Sequence, residues 1–195
     1  KRPARLRISL SIWLKSKKLQ STVNPSINSR RNLWTIQNER LQLNFHPGQL
    51  KAWDSARRFI FILAGTQSGK TSYLSWWLYK TILETADPLG NNDYLATTAN
   101  YDLFKLKFLP EMRQVFEYLL GWGRYWAGER IIELKDPAKG FWAKRASDPM
   151  WGRIILRSAA SPGGLESATA KAAILDEAGQ DEYTLETWEA ILRRL

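Results

Sequence analysis

The sequence contains no cysteine among its 195 residues. Disulfides, thiolate-bound zinc and thiol catalysis are therefore excluded, and a reducing compartment is compatible with that absence. It contains one histidine, His46, which argues against a histidine-built metal centre or a Ser-His-Asp triad. No apolar run approaches the roughly 20 residues needed to cross a bilayer, so no membrane is expected among its partners. Acids are scarce at one end. Residues 1–40 carry ten Lys/Arg against the single Glu39, so nearly all of the net charge of +10 lies there. Such an arm either contacts a polyanion or is a solvated tail. Methionine is missing before Met112, and the first residue is lysine. The expectation is that the native start lies elsewhere; an Arg- and Ser-rich opening also fits an organelle transit peptide.

What is present divides into a basic arm and linker over 1–32 and a domain over 33–195. Leu6, Ile8, Leu10, Ile12 and Leu14 alternate with polar residues, which suggests a strand or an amphipathic segment. Residues 21–32 read as a linker. Pro47 suits a first helical turn, so 47–57 is predicted as a short helix with His46 at its entry. The unbroken apolar run Phe59–Leu63 suits a strand buried on both faces. Lys70–Glu84 reads as a helix with Leu74, Trp77, Leu78 and Ile82 on one side. A strand over Tyr94–Thr98 follows. Asn100 then caps a helix over 101–120, whose apolar face includes Leu103, Leu106, Leu109, Val115 and Leu119 and which Pro110 should bend. Strands are predicted at 129–135, 152–158 and Ala172–Leu175, a turn at Ser161–Gly164, and a last helical stripe of Leu185, Trp188, Ile191, Leu192 and Leu195. Strands alternating with helices predict a three-layer α/β domain with a mainly parallel sheet.

Two segments carry chemistry. Ala64–Thr71 reads AGTQSGKT, with a strand expected before it and a helix after it. In such a phosphate loop the backbone N–H groups of Ala64, Gly65, Thr66, Gln67, Ser68 and Gly69 turn inward. The helix points its positive end at the same place. Lys70 reaches the β and γ phosphates of ATP, and the Thr71 hydroxyl ligates Mg²⁺. About a hundred residues later, Ala172–Glu177 reads AAILDE. The strand would deliver Asp176 to hold Mg²⁺ through water and Glu177 to orient and deprotonate the attacking water. Gln49, sixteen residues before Gly65, carries an amide that can both donate to and accept from an adenine edge. The bland alternatives are a tight turn with a surface lysine, an exposed acidic pair and a solvated glutamine. Trp122, Trp126, Trp142 and Trp151 lie among Arg124, Arg130, Lys139, Lys144, Arg145 and Arg153. They form either a grip on nucleic acid or a satellite hydrophobic cluster with charged rims.

Residues 44–53 (NFHPGQLKAW), 59–71 (FIFILAGTQSGKT) and 173–179 (AILDEAG) together resemble the ATPase half of the large terminase subunit of tailed phages and prophages. The likeness runs from about Leu33 to Leu195. It implies a P-loop NTPase fold of the RecA/ASCE type and a motor that pushes double-stranded DNA into a procapsid. It also implies a homo-oligomeric ring on a portal protein, DNA delivered by a small terminase subunit, and action in the cytoplasm of a bacterial host. The family's nuclease domain would follow this segment. Two departures stand out: family arginines in the phosphate loop and ten residues before the acidic-strand Asp are matched here by Thr66 and Glu166. Arg153 and Arg157 are the candidates left to supply positive charge. A helicase-like translocase and a nucleotide-binding scaffold without turnover remain open alternatives.

Overall fold

The computed structural model describes residues 33–195 except 38, 39, 66, 139, 141, 146, 162, 163 and 166–168. The period-two segment and the linker expected over 1–32 lie outside the described residues. The chain forms two compact units, Lys1–Gly69 and Lys70–Leu195.

In the first unit, β1 (Trp34–Gln37) and β2 (Arg40–Leu43) pair antiparallel. The helix α1 (Pro47–Trp53) then starts as the sequence expects, with Pro47 in its first turn. His46 is its cap: Nδ1 accepts from the Gly48 N–H at 3.0 Å, and the His46 N–H donates to Gln49 Oε1 at 2.9 Å. These bonds satisfy donors that a helix start would otherwise leave unpaired. The helix ends four residues short of the predicted 57. Ser55 is one reason, because its hydroxyl accepts from the Arg57 N–H at 3.3 Å and offers the backbone a turn in place of a further helical bond.

The strand predicted for Phe59–Leu63 is not formed. The segment pairs with no neighbouring strand among the described residues, and Phe61 and Leu63 are 73% and 96% exposed. Apolar content gives a segment the tendency to be buried, but a strand exists only where a second strand takes up its N–H and C=O groups.

The second unit holds a five-stranded sheet. Its strands are β3 (Asn92–Thr98), β4 (Gly123–Trp126), β5 (Ile131–Leu134), β6 (Gly152–Ser158) and β7 (Ala173–Leu175), in the order β4-β5-β6-β3-β7. β6, β3 and β7 pair parallel, and β5 runs antiparallel to both its neighbours. β4 therefore points the same way as β6, and β5 alone is reversed. The sequence pattern does not anticipate β4, because its four residues lie among polar and aromatic neighbours without a clean alternation. At Gly152 the chains come close: a Cβ there would sit 2.7 Å from the Asn92 carbonyl oxygen.

Helices cover both faces. α2 (Lys70–Thr85) buries Tyr73, Trp76, Leu78 and Ile82, so Trp76 takes the core position expected of Trp77. Thr85 near its end meets the Tyr94 hydroxyl of β3 at 2.9 Å. On the same side lies the helical stretch 101–119, capped by Asn100 Oδ1 as expected. It runs as α3 (Tyr101–Leu103), π1 (Phe104–Phe108), α4 (Leu109–Arg113) and π2 (Gln114–Leu119). Its buried line is Phe104, Phe108, Met112 and Phe116, while Leu106 is exposed. An interval of four outruns the 3.6-residue turn, and the wider π turns absorb the difference. Pro110, lacking an N–H, opens the α4 turn directly after π1 rather than interrupting a regular helix.

The opposite face packs on α5 (Leu185–Leu192). Here Ala190, Ile191 and Tyr183 join Leu95, Ile131, Ile155 and Leu165 in one core. Ile191 and the partly buried Trp188 behave as the helical stripe predicts, but Leu185, Leu192 and Leu195 are exposed. Thr184 caps this helix and Thr187 fills the inward position, with its hydroxyl donating to the Ala159 carbonyl at 3.4 Å. Two layers of helix about a mostly parallel sheet is the predicted α/β architecture.

Candidate functional site

The carboxyl end of β7 delivers Asp176. Its N–H donates to the Thr97 carbonyl of β3 at 2.9 Å, continuing the ladder one residue past the strand. Behind it, the Tyr183 hydroxyl shares a buried 2.8 Å hydrogen bond with Thr97 Oγ1 and donates to the Asp176 carbonyl at 3.4 Å. Thr97 and Tyr183 thus fix the strand end from the α5 face. Neither stands out in the sequence, where a threonine in a strand and a tyrosine seven residues past an aspartate carry no motif.

On the α2 face, the Thr71 hydroxyl donates to Asp176 Oδ2 at 2.9 Å. Residues 105 apart in the sequence are so brought into one group. Asp176 is only 4% exposed. Burial raises its pKa above the ordinary value; the Thr71 hydrogen bond opposes this, the Glu177 charge adds to it, and Lys70 pulls it back. Lys70 opens α2, so its charge stands beside the buried carboxylate at the positive end of the helix.

Glu177 follows in the left-handed backbone region at φ 56°, and its side chain is exposed. A Cβ-bearing residue there is held against a steric cost of order 1–2 kcal/mol. The Gln180 N–H bonds the Glu177 carbonyl at 3.1 Å and closes the turn. A buried carboxylate, a hydroxyl and an ammonium beside an exposed second carboxylate form an oxygen-rich, charge-alternating set. Hard cations and phosphates suit such a set. Among the described residues no group of three His, Asp or Glu side chains converges as a metal cage.

The first unit carries the rest of the predicted constellation. Ala64, Gly65, Gln67 and Ser68 are exposed, and Thr66 lies outside the described residues. Gln67 and Gly69 have positive φ, 58° and 79°. Two left-handed residues in so short a loop turn the chain sharply just before α2. Gln49 is buried, with its Oε1 held by the His46 N–H. A Cβ on Gly69 would lie 3.5 Å from Gln49 Nε2. The amide expected to read the base therefore packs against the last glycine of the loop, with its acceptor already engaged and its donor end facing that glycine.

The two spare arginines differ. Arg153 forms a two-point ion pair with Asp93: Nε donates to Oδ1 at 2.9 Å and Nη2 to Oδ2. Both residues lie at the amino-terminal edge of the sheet, the end opposite Asp176. Arg157 is near the carboxyl edge, where Nε donates to the Gly164 carbonyl at 3.1 Å and Nη1 to its neighbour's carbonyl, Leu156 O, at 2.9 Å.

Trp122, Trp126, Trp142 and Trp151 make contacts within the fold. Trp122 is buried against Phe116, Tyr79 and Trp151, and its Nε1 donates to the Lys135 carbonyl at 2.7 Å. Arg124 lies between the Trp126 and Trp142 rings, 4.5 and 5.2 Å from their centroids, and is held by the buried Glu133. The satellite-cluster alternative describes these residues, and Arg124 is engaged inside the fold.

A family model for the terminase large subunit, T4likevirus-type, N-terminal, matches residues 61–193, more than half of the chain. The large terminase ATPase domain of Thermus phage P74-26 has a similar fold. It is 20% identical with a TM-score of 0.57, over 78% of this chain and 61% of that one. The large terminase of a second, thermophilic bacteriophage is 11% identical with a TM-score of 0.52, over 77% of this chain and 35% of that one. The chain thus spans about three fifths of the Thermus phage domain and a third of the second phage's protein. No curated protein matches.

Proposed function

Because the chain belongs to the family of T4likevirus-type terminase large subunits, in their N-terminal part, we propose that it is an ATP-hydrolysing motor domain that drives double-stranded DNA into a viral procapsid. The observation that carries this reading is the Thr71–Asp176 hydrogen bond. It joins the end of the phosphate-loop sequence to the acidic strand, the two segments that an ATPase of this class must bring together.

In this reading Ala64–Gly69 offer backbone N–H groups to the phosphates, and Lys70 neutralises the β and γ oxygens. Thr71 Oγ1 and Asp176 would hold Mg²⁺, and the hydroxyl–carboxylate pair fits that ion's preference for oxygen ligands supplied by one or two carboxylates and substrate phosphates. The ion supplies neutralisation of charge on the phosphates when bound. Glu177, exposed at the mouth of the site, orients the attacking water and takes its proton. Gln49 contributes through its packing on Gly69, and its amide N–H₂ is the group left for the base. Double-stranded DNA, a portal protein, a small terminase subunit and further copies of the chain in a ring are the proposed partners, in the host cytoplasm at the procapsid portal. DNA cleavage is assigned to a separate nuclease domain of the whole protein.

The test is Glu177→Gln, made in the full-length protein so that ring contacts are present. It keeps the side-chain shape and removes the base. ATP affinity should stay near that of the parent while hydrolysis falls at least about a hundredfold, the scale of a positioned general base. Hydrolysis at the parent rate would remove Glu177 from this role.

A further inference from the structure

A cavity of about 390 Å³ opens at the carboxyl edge of the sheet, lined among others by Arg157, Arg130, Glu129, Tyr101, Ser158 and Ser161. Its size falls in the lower part of the range of roughly 300–1,000 Å³ in which small-molecule sites occur. It is separate from the Thr71–Asp176 group. Leu175, Thr97 and Arg157 are in register across β7, β3 and β6, so their side chains leave the sheet on one face. Thr97 marks that face as the one occupied by Tyr183. Asp176, one residue beyond Leu175, points to the other face, toward Thr71.

Among the described residues the charge lining this cavity is not balanced. Arg157 is half-buried and spends two donors on carbonyl groups, which leaves the rest of its five N–H groups without an acceptor among the described residues. Arg130, in the turn before β5, stacks over the Tyr101 ring at 4.1 Å. Among the described residues neither arginine forms an ion pair. The one carboxylate in the lining is Glu129; Arg153, four residues earlier on β6 and neutralised by Asp93, acts on Arg157 only from outside the cavity. Burial and the nearby charges of Arg130 and Arg153 push the Arg157 pKa down, while Tyr101 and Glu129 oppose them. Like charges gathered in a half-buried cleft are stabilised by an oxyanion, and a planar guanidinium with free donors matches the geometry of phosphate. The Ser158 hydroxyl is engaged, accepting from the Ala160 N–H and donating to the Ala99 carbonyl, which fixes the floor; Ser161 is exposed at the rim.

We propose that this cavity is a second anion site, distinct from the nucleotide site, in which Arg157 and Arg130 hold a phosphate group. The phosphate is supplied either by a DNA backbone or by a nucleotide. The chemistry recognised is the same, and Arg, Ser and Tyr are the side chains that commonly contact backbone phosphates.

The test reads Arg157 directly. In ¹⁵N-labelled chain, the arginine Nε–H resonances are followed by NMR, with Arg157 assigned through Arg157→Lys. Pyrophosphate, ATP with Mg²⁺ and a short DNA duplex are added in separate titrations. The expected result is a saturable shift of the Arg157 resonance with pyrophosphate. Its apparent affinity should fall about tenfold or more in Arg130→Gln, the scale of one lost charge-assisted contact. Arg130 is exposed, so this variant tests the site even where changes at Arg157 disturb the fold. A matching shift with the duplex identifies nucleic acid as the source, and a shift with ATP alone identifies a nucleotide. An Arg157 resonance unmoved by all three, or equal affinity in Arg130→Gln, overturns the proposal.

Discussion

Asp176 is the residue on which both stability and the proposed chemistry turn. Its carboxyl is buried and its pKa is raised, with burial the leading cause. The folded state therefore binds this proton more tightly than the unfolded chain does. Stability from the protonated form is complete below the ordinary value of 3.8 and is lost as pH rises through the raised folded value. Above that value the ligand-free protein carries a buried charge that Lys70 and Thr71 offset only in part. Asp176→Asn removes the charge and keeps the shape. Its thermal midpoint should exceed the parent's at neutral pH, and the two should converge in acid. A difference that instead grows in acid would mean that Asp176 is stabilised as an anion. A cation beside Asp176 would lower its pKa again. The Asp-Glu pair is legible in the sequence because acids at the end of an apolar strand are chemically conspicuous. Tyr183 and Thr97 are not legible, since their contribution arises only from a register between strands that no local pattern encodes.

At the scale of elements, the sequence is most legible where one periodicity governs one segment. β6 has its predicted bounds, and α2 and β3 nearly so, because α2 buries one apolar face and the two central strands are buried along nearly their whole length. The strand prediction at Phe59–Leu63 fails because strand formation depends on a partner. The prediction for 101–120 fails in detail because π turns change the period partway. β4 and β5 show a further device that composition hides. Glu133 on β5 is buried and accepts from Arg124 Nε at 3.2 Å, from Trp126 Nε1 at 2.9 Å and, through its other oxygen, from the Ala143 N–H at 2.7 Å. Arg124 Nη2 in turn reaches both Glu133 and the Ala143 carbonyl. One carboxylate so ties the β4–β5 hairpin to the loop that follows it. Glu133→Ala leaves Arg124 and Trp126 without their acceptor and should lower stability by about 1–3 kcal/mol, the cost of unmade buried hydrogen bonds, because the partly exposed Arg124 can turn to water. Chemical denaturation measures this, and a loss below about 1 kcal/mol would show that the hairpin is held by its apolar contacts alone.

At the scale of the molecule, charge is concentrated at one end of the chain. Ten Lys/Arg in residues 1–40 precede a segment of 155 residues with a net charge of +1. If the arm contacts DNA, binding to duplex should be independent of sequence and steeply dependent on salt, with a log–log slope of about −0.9 per phosphate contact. Deleting residues 1–32 should flatten that slope, and an unchanged slope would mark the arm as a solvated tail. At the start of α2, Lys70, Thr71 and Asp176 form the group proposed to bind nucleotide. Its most direct test is equilibrium binding of ATP with Mg²⁺ to the parent chain and to Lys70→Ala. In the proposed role Lys70 contacts phosphate before as well as during the reaction, so binding should be saturable in the parent and weaker by at least about tenfold in the variant. Equal affinity in the two chains would contradict it.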